Sequence, residues 1–206
     1  MDYHPGMVDL PFSHSSSARS SSSPLFSHKR GGATNSEKEA LLLPVPAFTA
    51  AEETWSTPQG LAWTQLLLDS YEKCTGSSLL PGRDDLDPVE QARALFHSSR
   101  VVVSHQTQED PVLCYGNAKA LALWEMDLAT LTSSPSRLTA EPVAREERQR
   151  LLDTVKAKGF IDDYQGVRIS STGKRFEILQ AVVWEIYDVN GVRRGQAATF
   201  AEWKDL

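Results

Sequence analysis

The chain has 206 residues, a formal net charge of -6 and a hydrophobic share of 40%. That length holds one well-buried domain with appendages, and the acidic balance excludes the basic stripe on which nucleic-acid backbones are bound. No apolar run approaches a bilayer span, and two cysteines in no metal-ligand spacing cannot build a disulfide framework, so a soluble chain in a reducing compartment is expected.

Residues 1–50 are expected to form a disordered tail. Serine dominates from Ser13 to Ser27, and such a segment buries too little apolar surface to offset its conformational entropy. No acidic residue occurs from Leu10 to Ser36, while Arg19, Lys29 and Arg30 are basic, a pattern that resembles an organelle transit peptide. Asp2 and Asp9 favour a plain flexible tail instead. The expected location is plastid or cytoplasm, neither secreted nor in a membrane.

From Pro58 to Cys74 the spacing predicts an amphipathic helix, with Leu61, Trp63, Leu66, Leu67 and Tyr71 on its apolar face and Gly76 as its stop. That face suits either packing on its own domain or dimerisation. Asp87-Pro88 then offers a capping oxygen and a first-turn proline to a short helix buried through Val89, Ala92, Leu95 and Phe96. Residues 51–94 are thus read as a helical extension, and 95–206 as the main domain.

There the period changes. Arg100–Ser104 and Pro111–Tyr115 read as strands, and Asn117 caps a helix from Ala118 to Glu125 whose inner face is Ala118, Leu121, Ala122 and Trp124 or Met126. A Ser/Pro-rich connection covers Thr130–Pro142. Next comes a helix over Val143–Lys158, with Glu146 spaced to pair with Arg150, Leu151, Leu152 and Val155 buried, and Gly159 at its end. Strands follow over 161–170, Arg175–Tyr187 and Val192–Ala201, turned at Ser171–Lys174 and at Asn190-Gly191. Two helices followed by β-β-α-α-β-β-β predict an α+β domain with a five-stranded, mostly antiparallel sheet and helices on one face.

On the long strand, Phe176, Ile178, Gln180, Val182, Trp184 and Ile186 are expected to share a face on which Gln180 is the single polar member. Gln196, Ala198 and Phe200 share one on the last strand. A buried amide needs partners, so Gln180 and Gln196 hydrogen-bond each other, the backbone or a small ligand. With Trp184, Phe176 and Trp124 they are the candidate ligand contacts, although Trp184 reads first as core. No Ser/His/acid arrangement, phosphate loop or paired metal ligands occurs, so neither catalytic residues nor a metal site is expected. Of the adjacent carboxylates Asp162 and Asp163, at most one can enter a pocket, because strand neighbours point to opposite faces.

The element order resembles the PAS architecture, and particular residues narrow the likeness to the MEKHLA domain. They are Leu95-Phe96-His97-Ser98-Ser99, Tyr115-Gly116-Asn117 entering a helix, Gly159-Phe160, the stretch from Gly166 to Lys174, and Ala181-Val182-Val183-Trp184. That domain is known at the C-terminus of class III homeodomain–leucine zipper proteins and as stand-alone proteins. The Met-Glu-Lys-His-Leu-Ala string itself is absent, and with no homeodomain or heptad repeat ahead of it the chain resembles the stand-alone form. The resemblance implies a non-catalytic sensory or regulatory module that binds a small hydrophobic ligand, a protein partner or a second copy of itself, without direct nucleic-acid binding. Light sensors of similar fold carry a cysteine motif where this chain has Leu131 to Arg137, and a haem form needs an axial histidine, of which none follows His105, so neither flavin nor haem is expected. The alternatives are a filled scaffold, or a small cone-shaped enzyme similar to ketosteroid isomerase with Asp162 or Asp163 as base.

Overall fold

The computed structural model of the chain describes residues 54–141, 151, 154, 155 and 157–206. The Ser-rich tail, its transit-peptide reading and most of the helix expected over 143–158, with its Glu146–Arg150 pair, lie outside the described residues. Leu151, Thr154, Val155, Ala157 and Lys158 are helical, and Gly159 follows in the left-handed region at φ 82°.

Helix α1, Pro58–Thr75, starts where Thr57 accepts a hydrogen bond from Gly60 N and Pro58 takes the first turn. It ends where Gly76, at φ 71°, returns its N–H to Glu72 O. Helix α2, Pro88–Phe96, carries a reciprocal cap: Asp87 Oδ1 accepts from Val89 N and Glu90 N, while Glu90 Oε2 accepts from Asp87 N. It buries Ala92 and Leu95; Val89, expected on that face, is instead 43% exposed.

Strands β1, Val101–His105, and β2, Leu113–Gly116, form an antiparallel pair. Asn117 caps helix α3, Ala118–Trp124, as the sequence predicts. Part of the expected connection is helical: α4, Leu128–Ser133, is capped by Asp127 and buries Leu131 completely, and a 3-10 turn covers Ser136–Thr139. Leu131 finds its place over Gly116, where a Cβ would lie 2.9 Å from its Cδ1.

β3, Phe160–Ile169, β4, Arg175–Tyr187, and β5, Arg193–Phe200, complete an antiparallel sheet ordered β2-β1-β5-β4-β3. The loop at Asn190-Gly191 is longer than a two-residue turn, because the Asp188 carboxylate accepts from Asn190 N and Val192 N and stops the ladder early. A sixth strand, β6, Glu202–Asp205, continues β5 beyond Ala201 and pairs with the start of β4.

The two faces of the sheet bury different sets of residues. On the outer face, α1 lays Trp63, Leu67 and Leu68 against Trp184, Ile186 and Ala197, with Tyr71 edge-on to Trp184 at 5.0 Å. The apolar face of α1 is therefore spent within its own domain, and α1 and α2 share the core of the sheet rather than hanging from it. On the inner face, α3 places Trp124 against Phe176 and Phe200, beside Ile178 and Ala181.

Candidate functional site

A cavity of about 770 Å³ opens on the inner face. Its origin is legible strand by strand. Ala198 of β5 and Ala181 of β4 stand where the outer face carries Trp184 and Ile186, and Gly166 of β3 contributes no side chain. Val103, Val183 and Phe200 supply apolar floor, while Trp124, Leu138 and Leu151 close over it. Apolar walls with a few fixed polar groups are the usual make-up of small-molecule sites, and the volume falls in their range.

The register puts one polar row across three adjacent strands, since His105 pairs with Gln196 and Gln196 with Glu185. Gln196 Nε2 donates to Glu185 Oε1 at 3.0 Å, and Arg193 pairs with the other oxygen of that carboxylate. The acid is only 10% exposed at its side chain, so this pairing is what makes its burial tolerable. His105 Nδ1 lies 2.7 Å from the Gln106 carbonyl oxygen, which can only accept; in the neutral ring the proton therefore sits on Nδ1 and Nε2 is an acceptor. Burial holds this imidazole below its ordinary 6.5, against the opposing pull of hydrogen bonds to Gln106 and Gln196.

A second polar group sits on β3. Tyr164, Gly166 and Arg168 alternate on the inner face, and Arg168 Nη2 donates to the Tyr164 hydroxyl at 3.0 Å.

The expected contacts separate. Gln196 and Trp124 line the cavity. Phe176 lies on the same face but fully buried behind Trp124, at 5.3 Å between ring centroids. Trp184 is fully buried on the outer face. Gln180 is exposed, contrary to expectation, and the pairing with Gln196 does not form. The cause is a bulge: Tyr164 pairs with Ala181 and Gly166 with Ile178, so β4 carries one residue more than β3, and Gln180 takes a left-handed φ of 48°. Beyond it the alternation is inverted. Phe176 and Ile178 face the cavity side, whereas Val182, Trp184 and Ile186 face α1, and the single face expected for all of them does not exist.

Asp162 and Asp163 are both exposed, at a second bulge between Ile161 and Tyr164, and neither lines the cavity. Both cysteines belong to the outer-face core. Burial pushes the Cys114 thiol up to about 12 and raises that of Cys74 as well, so neither is poised as a nucleophile. Among the described residues, no group of acidic, histidine or cysteine side chains could hold a metal ion, and no helix is long and apolar enough to cross a membrane.

The residues that sequence reasoning missed are His105, Glu185, Tyr164 and Arg168. Tyr-x-Gly-x-Arg on a predicted strand was the available signal for the last two, because a strand glycine marks a place where neighbouring side chains close over the backbone.

Compared with known proteins, residues 61–205 match the family model of the MEKHLA domain, a span that takes in α1 and α2. The homeobox-leucine zipper protein HOX29 of Oryza sativa subsp. indica is 23% identical over 152 residues, which cover 73% of this chain and 18% of that protein. The chain thus spans under a fifth of that relative's length. Among solved structures, a PAS domain from Colwellia psychrerythraea shares 15% identity over 56% of this chain and 93% of its own, with a TM-score of 0.45. An RNA-binding light-oxygen-voltage receptor shares 20% identity over 63% of this chain and 35% of its own, with a TM-score of 0.48.

Proposed function

We propose that this chain, which belongs to the MEKHLA domain family, is a non-catalytic sensory or regulatory module whose signal is a small molecule held in the inner-face cavity. The cavity carries the reading: about 770 Å³ of space stands over an antiparallel sheet whose outer face is packed solid. Two further observations favour binding over catalysis. The buried carboxylate Glu185, which does not itself line the cavity, is neutralised by Arg193 and bonded to Gln196, which suits an anchor for those two wall residues better than a proton carrier. The histidine at that end has its Nδ1 occupied by its own neighbour's carbonyl.

An exchangeable ligand suits the site better than a covalently held flavin. Both thiols lie on the opposite side of the sheet, so the cavity offers no cysteine for the covalent chemistry of light sensors. Occupancy is read out to a protein partner or a second copy, as the family resemblance implies.

The test is native mass spectrometry of the purified chain against the same sample denatured. A mass lost on denaturation, and absent from an Ala198→Trp variant that fills the cavity, is the expected result. A clean apo mass, together with no shift in Tm of the wild type across a panel of small apolar acids, alcohols and amides, would favour the filled-scaffold reading and sink this one.

A further inference from the structure

Arg168 stands half-buried in the cavity wall with no carboxylate beside it among the described residues. The other arginines of the wall are answered, Arg137 by Asp110 at 3.0 Å and Arg193 by Glu185. The acid of the wall, Glu141, is held by Arg175 at 2.5 Å. Among the described residues, Arg168 bonds only neutral oxygens. Its Nη1 donates to the Val167 carbonyl at 3.0 Å, its Nη2 to the Tyr164 hydroxyl at 3.0 Å, and its guanidinium carbon lies 5.3 Å from the centroid of the Tyr164 ring.

The arrangement depends on Gly166. A Cβ at that position would lie 2.5 Å from the Tyr164 hydroxyl and 3.1 Å from Arg168 Nη1, so any side chain there would push the pair apart. A guanidinium carries five N–H donors; the two bonds above leave three for an acceptor from outside. Tyr164, which accepts from Arg168, keeps its own proton to donate. Removing a cation from water without a counter-charge is unfavourable, and an incoming anion offsets that cost.

We infer that the cavity takes an amphipathic carboxylate, its carboxylate on Arg168 and Tyr164 and its apolar body over Ala181, Val183 and Ala198. This rests on the ligand-binding reading above and adds the class of ligand. A planar carboxylate matches the guanidinium fork with two parallel bonds. The His105–Gln196–Glu185 row does not compete for the anion, because its acid is already matched by Arg193 and its imidazole is neutral at physiological pH.

The experiment is isothermal titration calorimetry of the full chain at low salt with three eight-carbon probes: octanoate, octanol and octyl phosphate. Octanoate is expected to bind wild type at least about tenfold more tightly than octanol, the scale of a charge-assisted bond. Arg168→Gln should bring octanoate down to octanol and leave octanol unchanged; Tyr164→Phe should lose a smaller part of the preference. If octanol matches octanoate on wild type, or Arg168→Gln keeps the preference, the carboxylate assignment is overturned while the cavity reading stands. Octyl phosphate binding more tightly than octanoate overturns it in favour of a phosphate monoester. If none of the probes binds wild type, the carboxylate assignment is overturned, and the native-mass and Tm measurements above decide the cavity reading separately. The wild-type comparison needs no variant, and Tyr164→Phe tests the site again should Arg168→Gln fail to fold.

Discussion

Asn117 does at the scale of one side chain what an element usually does. Its Oδ1 accepts from Val102 N at 3.1 Å and Ala120 N at 3.1 Å, and its Nδ2 donates to Leu95 O at 3.3 Å and Arg100 O at 2.7 Å. It therefore ties the end of α2, the start of β1 and the first turn of α3 together while fully buried. Its role as a cap was legible, because Asn before an apolar helix is a local signal. The bonds to residues 15 to 22 positions earlier were not, since they exist only once β1 lies beside α3. Asn117→Ala should lower stability by about 2–4 kcal/mol, as four backbone groups lose their partner in a dry site. A urea titration would show this as a lower midpoint at unchanged slope. Asn117→Asp should not rescue it, for a carboxylate keeps the acceptor bonds but turns an oxygen toward two carbonyls.

At the scale of an element, β4 is governed by its bulge. Gln180 and Ala201 stand opposite each other where β5 gives way to β6; Val182 pairs with Thr199 on one side and Leu179 with Glu202 on the other. The bulge decides which face Trp184 joins, so it decides that one face is packed solid and the other hollow. Glycine is the residue suited to φ 48°, and a β-branched side chain is the worst. In a regular strand the preference is the reverse, with valine above glycine. Gln180→Gly is therefore expected to be neutral or slightly stabilising, and Gln180→Val to cost about 1–2 kcal/mol. Thermal unfolding of the two variants checks this, and valine proving the more stable would mean that β4 runs straight through residue 180.

For the whole molecule, the groups that titrate on the acid side pull one way. His105 has a folded pKa below its ordinary 6.5 because it is buried, so the unfolded chain takes the proton more readily. The stability this contributes is present above pH 6.5 and is lost as pH falls through the folded value. Asp188 is held low by Val192 N, Asp127 by Thr130 N, and Glu125 by the hydroxyls of Ser170 and Thr172, and these act in the same sense lower on the scale. Tm should thus fall in two stages on acidification, first below pH 6.5 and again below the ordinary carboxylate range. His105→Gln should flatten the first stage and leave the second; an unchanged profile between pH 7 and pH 5 would show that His105 is not its source.

Among the described residues, the sequence by itself determined the elements other than α4 and β6, their order and most of their ends. The reason is that caps such as Thr57, Asp87 and Asn117, stops such as Gly76 and Gly159, and the turn at Gly173 act within a few residues of themselves. It determined the antiparallel sheet, because short connections leave strands no other partner, and it picked out Gln196 and Trp124, which stand at the cavity wall. Only the tertiary structure decided which face each residue of β4 serves. A mid-strand glutamine with positive φ carries no local signal; its conformation is held by pairings to β3 and β6 made at a distance along the chain. The same holds for the meeting of Tyr164 and Arg168 over Gly166 and for the row of His105, Gln196 and Glu185. Each is a consequence of register, which a chain acquires only when its strands come together.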